Sequence, residues 1–286
     1  MAESKLHEVL RRASLFLDDN RREPKVAELL LEHYLDVDRT AFFAMMRDPV
    51  PEDVLQRFWS AVEAHAQTGV PLEHLTGYAP FYGRDFRVTG DTLIPRPETE
   101  ELTQLAVQTA SPEPFTIADI GTGSGSIAVT LALELPQAAV YATDLSTKAL
   151  EVARYNAAQM EADVTFFEGD YGKPLLEQGL QVDMLVSNPP YIALDEKSTL
   201  SDTVKNFDPE EALFAGDDGL AGYRTIVNQL PRLVKPHGYC LLEVGSQQAQ
   251  TVQCLLQGAF PESHVAIVQD ISQKDRMVKA GPLIDS

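Results

Sequence analysis

The run Val186-Ser187-Asn188-Pro189-Pro190-Tyr191 follows the apolar stretch VDMLV, which reads as a buried strand. Two prolines directly after a strand cannot continue its hydrogen-bond ladder, and they set a rigid extended turn. Such a turn presents the side-chain oxygen of Asn188 and a main-chain carbonyl as two fixed acceptors. A planar NH2 group needs two acceptors for its two N–H bonds. Tyr191 can then cover the flat face of that group. Hydrogen bonds of this kind push electron density back onto a nitrogen whose lone pair is delocalised, which is what alkylating an amide or an aniline-like amine requires. Fixed alignment helps as well, since oriented reactions gain up to about 7–11 kcal/mol. Asn188, Pro189, Pro190 and Tyr191 are therefore the expected catalytic and substrate-binding residues.

The electrophile needs a site beside that turn. Asp119-Ile120-Gly121-Thr122-Gly123-Ser124-Gly125 joins a short apolar strand, FTIADI, to the helical stretch IAVTLALEL. Glycines let such a loop turn sharply and approach a ligand, and the helix start supplies free N–H groups. Asp144 ends the next strand, AAVYATD, 19 residues beyond Gly125. A carboxylate there accepts from both hydroxyls of an adenosine ribose. Nicotinamide enzymes share that geometry, so these two features leave both cofactors open. A dinucleotide fingerprint starting at Gly121 would need its last glycine where this chain has Ser126. The form GxGxG preceded by Asp119 suits a cofactor carrying a carboxylate and an ammonium, S-adenosyl-L-methionine, with Asp119 facing the methionine end. Asp170 and Tyr171 end the third strand, where the carboxylate can accept from the adenine amine and the ring can pack on the base. Thr122 and Ser124 complete the loop, and Asn188 adjoins both sites.

Other chemistries lack their residues. His7-Glu8 has no second histidine of an HExxH, no GxSxG occurs, and Gly125 is followed by Ser126-Ile127 rather than by the lysine of a phosphate-binding loop. No metal site is expected.

Strand and helix periods show what positions these residues. Residues 1–75 carry helical spacing: Leu6 to Leu17, Val26 to Tyr34, Thr40 to Arg47, and Pro51 to Val62, with Gly69 and Pro71 breaking the pattern. Residues 76–110 read as a hairpin over Phe81–Ile94 followed by a helix through Val107. From residue 111 to 286, strands and helices alternate, which implies a mostly parallel sheet with helices on both faces and ligands at the strands' carboxyl ends. GLAGYRTIVNQLPRLVKP reads as a helix that Pro231 should kink or end early. HVAIVQD and RMVKAG close the chain as strands.

Composition narrows the partners. Lys plus Arg total 23 against 43 Asp plus Glu, a net charge of −20. A duplex binder presents a basic face to phosphates, and no Lys/Arg-rich run exists here, so direct nucleic-acid binding is not expected. No apolar stretch approaches a bilayer span, and MAESKLHEVLRR has no apolar signal core. Cys240 and Cys254 sit in no CxxC. A cytoplasmic protein without a membrane partner is the expectation.

DIGTGSG, ATD, GDY and SNPPYI together resemble the release factor glutamine methyltransferases, the PrmC/HemK family. PLEHLTGY, TLIPRPETEEL, FDPEEALFAGDDGL and QDISQKDRMVKA are similar to that family's segments too, so the likeness spans nearly the whole chain. NPPY alone is shared with adenine and guanine base methyltransferases; IPRPETE is more specific. The resemblance implies an α/β protein: a seven-stranded Rossmann-like class I methyltransferase sheet behind a small N-terminal helical bundle. It further implies methylation of the glutamine amide in the GGQ loop of bacterial class I release factors, with S-adenosyl-L-homocysteine as the second product. On that footing residues 1–75 are expected to dock the release factor. Tyr171 stands where some members carry Trp. Arg96 and Glu98 either order the substrate loop or form a salt-bridged linker. A base methyltransferase and a cofactor-binding scaffold without turnover are the alternatives from other classes.

Overall fold

The structure is a computed structural model and describes residues 4–284. The chain divides into two compact units, Met1–Gly77 with Ser201–Phe207, and Tyr78–Leu200 with Asp208–Ser286.

The first unit contains α1 (Leu6–Asp19), α2 (Lys25–Leu35), α3 (Arg39–Ala44), α4 (Glu52–Thr68) and α5 (Leu72–Thr76). On α1 the buried residues are Leu6, Val9, Ala13 and Leu17, steps of three and four that make one apolar stripe. That stripe packs with Leu30, Leu31, Phe42, Phe58 and Val62 into a core of its own. The Asp38 side chain accepts from the Ala41 N–H at 2.8 Å and starts α3. The break expected at Gly69 and Pro71 is real but brief. Pro71 caps α5 instead of opening a loop, because its fixed φ suits the residue before a first turn.

In the second unit a hairpin comes first, β1 (Tyr78–Phe81) paired with β2 (Arg84–Arg87). It starts and ends earlier than the expected Phe81–Ile94, and residues 88–96 run irregularly from it to α6 (Pro97–Thr109). Val88 and Ile94, past the pairing, are apolar and buried although they are in no strand, so the apolar pattern overextended the hairpin. Then follow β3 (Phe115–Ile120), α7 (Ser126–Glu134), β4 (Ala138–Asp144), α8 (Thr147–Gln159), β5 (Val164–Glu168), α9 (Lys173–Glu177) and β6 (Val182–Ser187). A 3-10 turn (Leu194–Thr199) leads to α10 (Asp202–Phe207), which belongs to the first unit, where Phe207 meets the His74 ring edge-on. The chain returns through α11 (Glu210–Leu213), α12 (Ala221–Leu233), β7 (Val234–Glu243), α13 (Ala249–Ala259), β8 (Val265–Gln269) and β9 (Asp275–Ala280).

Seven strands form one sheet in the order β5-β4-β3-β6-β7-β9-β8, parallel except for β9. The order reverses between β3 and β6, which opens a crevice at their carboxyl ends. Pro231 does not end α12; the helix runs on to Leu233. Only two residues follow the proline, so a single ladder bond is lost, and buried Leu230 and Leu233 hold the last turn in the core. Among the described residues no helix is long and apolar enough to cross a membrane.

Candidate functional site

The crevice between β3 and β6 opens into a cavity of about 570 Å³. Its lining includes Gly121, Gly123, Asp144, Asp170, Tyr171, Asn188 and Pro190, residues that sequence spacing placed at one edge of the sheet. The β3–β6 ladder ends at Asp119 and Val186, and the Ser187 hydroxyl then donates to the Ile120 carbonyl at 2.6 Å. That one bond holds the two loops together where the strands part.

The glycine loop is shaped from below. Gly121 and Thr122 both donate N–H bonds to the Thr143 carbonyl at 2.9 Å. Gly123 has φ +56°, and a Cβ there would point into open space beside the cavity. Gly125 has φ +82° and lies so close to Ala153 that an added Cβ would sit 3.1 Å from the alanine's own. The first glycine thus leaves room for a ligand, and the second lets α8 approach.

Asp119 is fully buried beneath the loop, and the cavity wall does not include it. Its Oδ2 accepts from the Thr122 hydroxyl at 2.6 Å and from the Ala128 N–H at 3.1 Å, while Oδ1 has no partner. Burial pushes its carboxyl up to about 7 against the pull of those two donors. Asp119 shapes the loop that a ligand would touch. Thr122, Ser124 and Gly125 also stand behind the wall rather than in it.

Asp144 lines the cavity, with Oδ2 accepting from Gly123 N–H at 2.8 Å and Oδ1 from Ser146 N–H at 2.9 Å. Burial raises its pKa, and those donors oppose the rise. With the Leu145 N–H as a third donor, the carboxylate still keeps lone-pair capacity for a ligand hydroxyl. Tyr171 holds a left-handed backbone, φ +48°, an uncommon conformation for a large residue and one that clusters at functional sites. The residues 90–93 and 209–212 complete the wall, and sequence reasoning did not place them there.

The charge on the wall bears on the ligand. Asp91, Asp144, Asp170, Glu210 and Glu211 face a single lysine, Lys148, which is itself paired with Asp91 at 3.0 Å. Glu210 is paired in turn with Lys197, and the remaining carboxylates leave a wall of net negative charge, which favours a net cation and disfavours a pyrophosphate.

At the other end of the crevice, Asn188 donates through Nδ2 to Thr99 Oγ1 at 3.1 Å. Its amide is turned so that Oδ1 remains as the acceptor. Pro189 is buried, and Pro190 is the proline on the cavity wall. Tyr191 is largely enclosed, its ring against Gly245, and its carbonyl accepts from Gln248 Nε2 at 2.8 Å. Burial raises the Tyr191 hydroxyl's pKa, with Glu243 adding to the rise. Arg96 pairs with Asp208 at 2.6 Å, a partner that is itself buried.

Four supporting residues escaped the sequence reading: Thr99, Glu243, Gln248 and Asn156. Asn156, buried on α8, accepts from Arg87 N–H at 2.9 Å and donates to the carbonyls of Arg87 at 3.0 Å and Ser124 at 2.8 Å. It thereby ties the hairpin to the glycine loop. Glu243 carried a readable signal, a carboxylate ending the apolar strand GYCLLE just as Asp144 ends its own. A buried amide within a helix carries none.

Comparison with known proteins places this architecture. Residues 8–77 match the PrmC N-terminal domain, and residues 98–207 match the methyltransferase small domain. A release factor glutamine methyltransferase of Bacillus cereus is 41% identical over 280 residues, 96% of this chain and 99% of that protein. Its counterpart in Bacillus subtilis is 39% identical over 96% of this chain and 97% of its own. A crystal structure of a methyltransferase from Pyrococcus furiosus superposes with TM-score 0.51 at 14% identity, covering 82% of this chain and all of that one, a likeness of fold alone.

Proposed function

The chain belongs to the release factor glutamine methyltransferase family, and from that premise we propose that it methylates the side-chain amide nitrogen of a glutamine in a peptide chain release factor. The target is the glutamine of the GGQ loop of class I factors, and the methyl donor is S-adenosyl-L-methionine. When bound, that donor supplies an electrophilic methyl group and leaves as S-adenosyl-L-homocysteine. The acidic wall and the open faces of Gly121 and Gly123 fit such a molecule. Asp144 would take the ribose hydroxyls, and Asp170 with Tyr171 the adenine.

The observation that carries the reading is the orientation of Asn188. With Nδ2 engaged by Thr99, its Oδ1 is the atom left to accept from a substrate N–H. A main-chain carbonyl of the Pro189-Pro190 turn accepts the second N–H. These two acceptors hold the amide plane and return density to its nitrogen, while Pro190 and Tyr191 bound the slot. No residue need remove a proton before transfer, because the alkylated nitrogen is acidic and releases its proton to water. The first unit supplies the docking surface for the body of the factor, and a cytoplasmic setting follows from that partner.

Mass spectrometry tests the reading. Purified release factor incubated with this protein and S-adenosyl-L-methionine should gain one methyl on the GGQ glutamine. An unmodified glutamine, with the same protein methylating nucleic acid, would overturn it.

A further inference from the structure

Asn188 is the end of a short directional chain. Its Nδ2 donates to Thr99 Oγ1 at 3.1 Å, and the Thr99 hydroxyl donates to Glu243 Oε2 at 2.7 Å. Thr99 is the third residue of α6, and Glu243 ends β7, next to the strand that delivers Asn188. Thr99 and Glu243 are 4% and 2% exposed, so water does not substitute for either partner. A carboxylate only accepts, so the single Thr99 proton must point at Glu243. The threonine then offers Asn188 only lone pairs, and only the NH2 side of the asparagine amide can meet them. We propose that Thr99 and Glu243 are positioning residues that set the flip state of the Asn188 amide and so present its oxygen to the substrate nitrogen. This rests on the role given to Asn188 above.

The chain also works in reverse. A neutral Glu243 carboxyl can donate to Thr99, whose proton is then free to donate to Asn188. The asparagine answers best with Oδ1, and its NH2 turns towards the substrate's own NH2, donor against donor. The groups facing Glu243 are Arg276 on β9, Arg96 and Glu98 at the start of α6, and Tyr191 after β6. The Tyr223 hydroxyl of α12 donates to the Glu243 main-chain carbonyl at 2.9 Å. Burial dominates these influences and raises the carboxyl to about 7. The change of orientation should therefore follow the protonation of Glu243.

Two measurements on the full-length protein test this. The side-chain amide signals of Asn188, assigned by their loss in Asn188→Ala, should titrate in 1H–15N spectra with a midpoint near the value for Glu243, about 7. They should become flat in Glu243→Gln. Thr99→Val should lower kcat by about 10²-fold, the scale of a small misplacement, with KM for S-adenosyl-L-methionine unchanged. Thr99→Ser, which restores the hydroxyl, should recover most of the rate. Asn188 signals indifferent to pH and to Thr99→Val, or a Thr99→Val enzyme as fast as wild type, would overturn the proposal. Should wild-type protein leave release factor unmethylated, the functional reading falls by itself. The spectra need no substrate and still decide the flip.

Discussion

Asp144, the last residue of β4, accepts from the Gly123 N–H at 2.8 Å, so one carboxylate both holds the glycine loop and lines the cavity beside it. Asp144→Ala is expected to weaken S-adenosyl-L-methionine binding by about 1.5–3 kcal/mol, the worth of charge-assisted bonds, with kcat at saturation little changed. Titration calorimetry reads the affinity directly, and an unchanged value would take Asp144 out of the site.

Asn188→Ala should abolish transfer while the protein stays folded and still binds the methyl donor. The loss of a preorganised contact to the reacting group costs roughly 10²–10³ in rate. Single-turnover kinetics with saturating donor would show it. A rate within about tenfold of wild type falls well short of that loss and would remove the assigned role.

Asn156→Ala should destabilise the second unit, because it strips partners from the Arg87 N–H and from the carbonyls of Arg87 and Ser124. Leaving buried backbone groups unpaired costs on the order of 1–3 kcal/mol. Thermal unfolding should fall by about 2–4 °C for each kcal/mol lost. A midpoint matching wild type would mean that the hairpin is held to the glycine loop by other contacts.

Asp144, Asp170 and Asn188 could be placed beside one another from the sequence because each lies at or just past the end of a strand, and strand ends in a parallel sheet share one edge. Asp119 obeyed the same rule yet turned inward. It belongs to a central strand, and its side chain meets Thr122 and Ala128 below the loop. The sequence pattern reports that a carboxylate sits at a strand end, not which face it takes. Thr99 and Glu243 lie 144 positions apart, and no periodicity links them. Helix α10 was equally hidden, since its six residues pack in the first unit although the segments around them belong to the second.

Stability should depend on pH in a definite direction. Burial raises both Asp119 and Glu243 to about 7, above their ordinary values of 3.8 and 4.5. Between those ordinary values and about 7 the folded protein therefore holds protons that the unfolded chain has released. Folding stability contributed by these groups is present at the acid end of that window and is lost as pH rises through it. Denaturant midpoints measured from pH 5 to 8 should decline from this source. Asp119→Asn, which cannot ionise, should flatten part of the decline; an unaltered slope would show that Asp119 stays charged throughout.

The first unit is expected to dock the body of the release factor. A GGQ loop alone offers few atoms for selecting a large protein, and specific interfaces commonly bury about 800 Å² per partner. Contacts remote from the reacting atoms can supply the binding energy that positions the amide. Truncating residues 1–77 is a poor test, because Ser201–Phe207 packs in the same unit and would lose its surroundings. Surface changes on α1 are cleaner. Leu15 is 55% exposed, and Arg12, one turn away on the same helix, lies over the Trp59 ring at 4.7 Å. Arginine and tryptophan are the types that most often carry binding energy at interfaces. Arg12→Glu with Leu15→Glu should leave cofactor affinity and methylation of a short GGQ peptide unchanged. The same pair should raise KM for intact release factor about fivefold or more, the least expected from losing over 1 kcal/mol at such a position. Equal efficiency on the intact factor would place docking on another face of the protein.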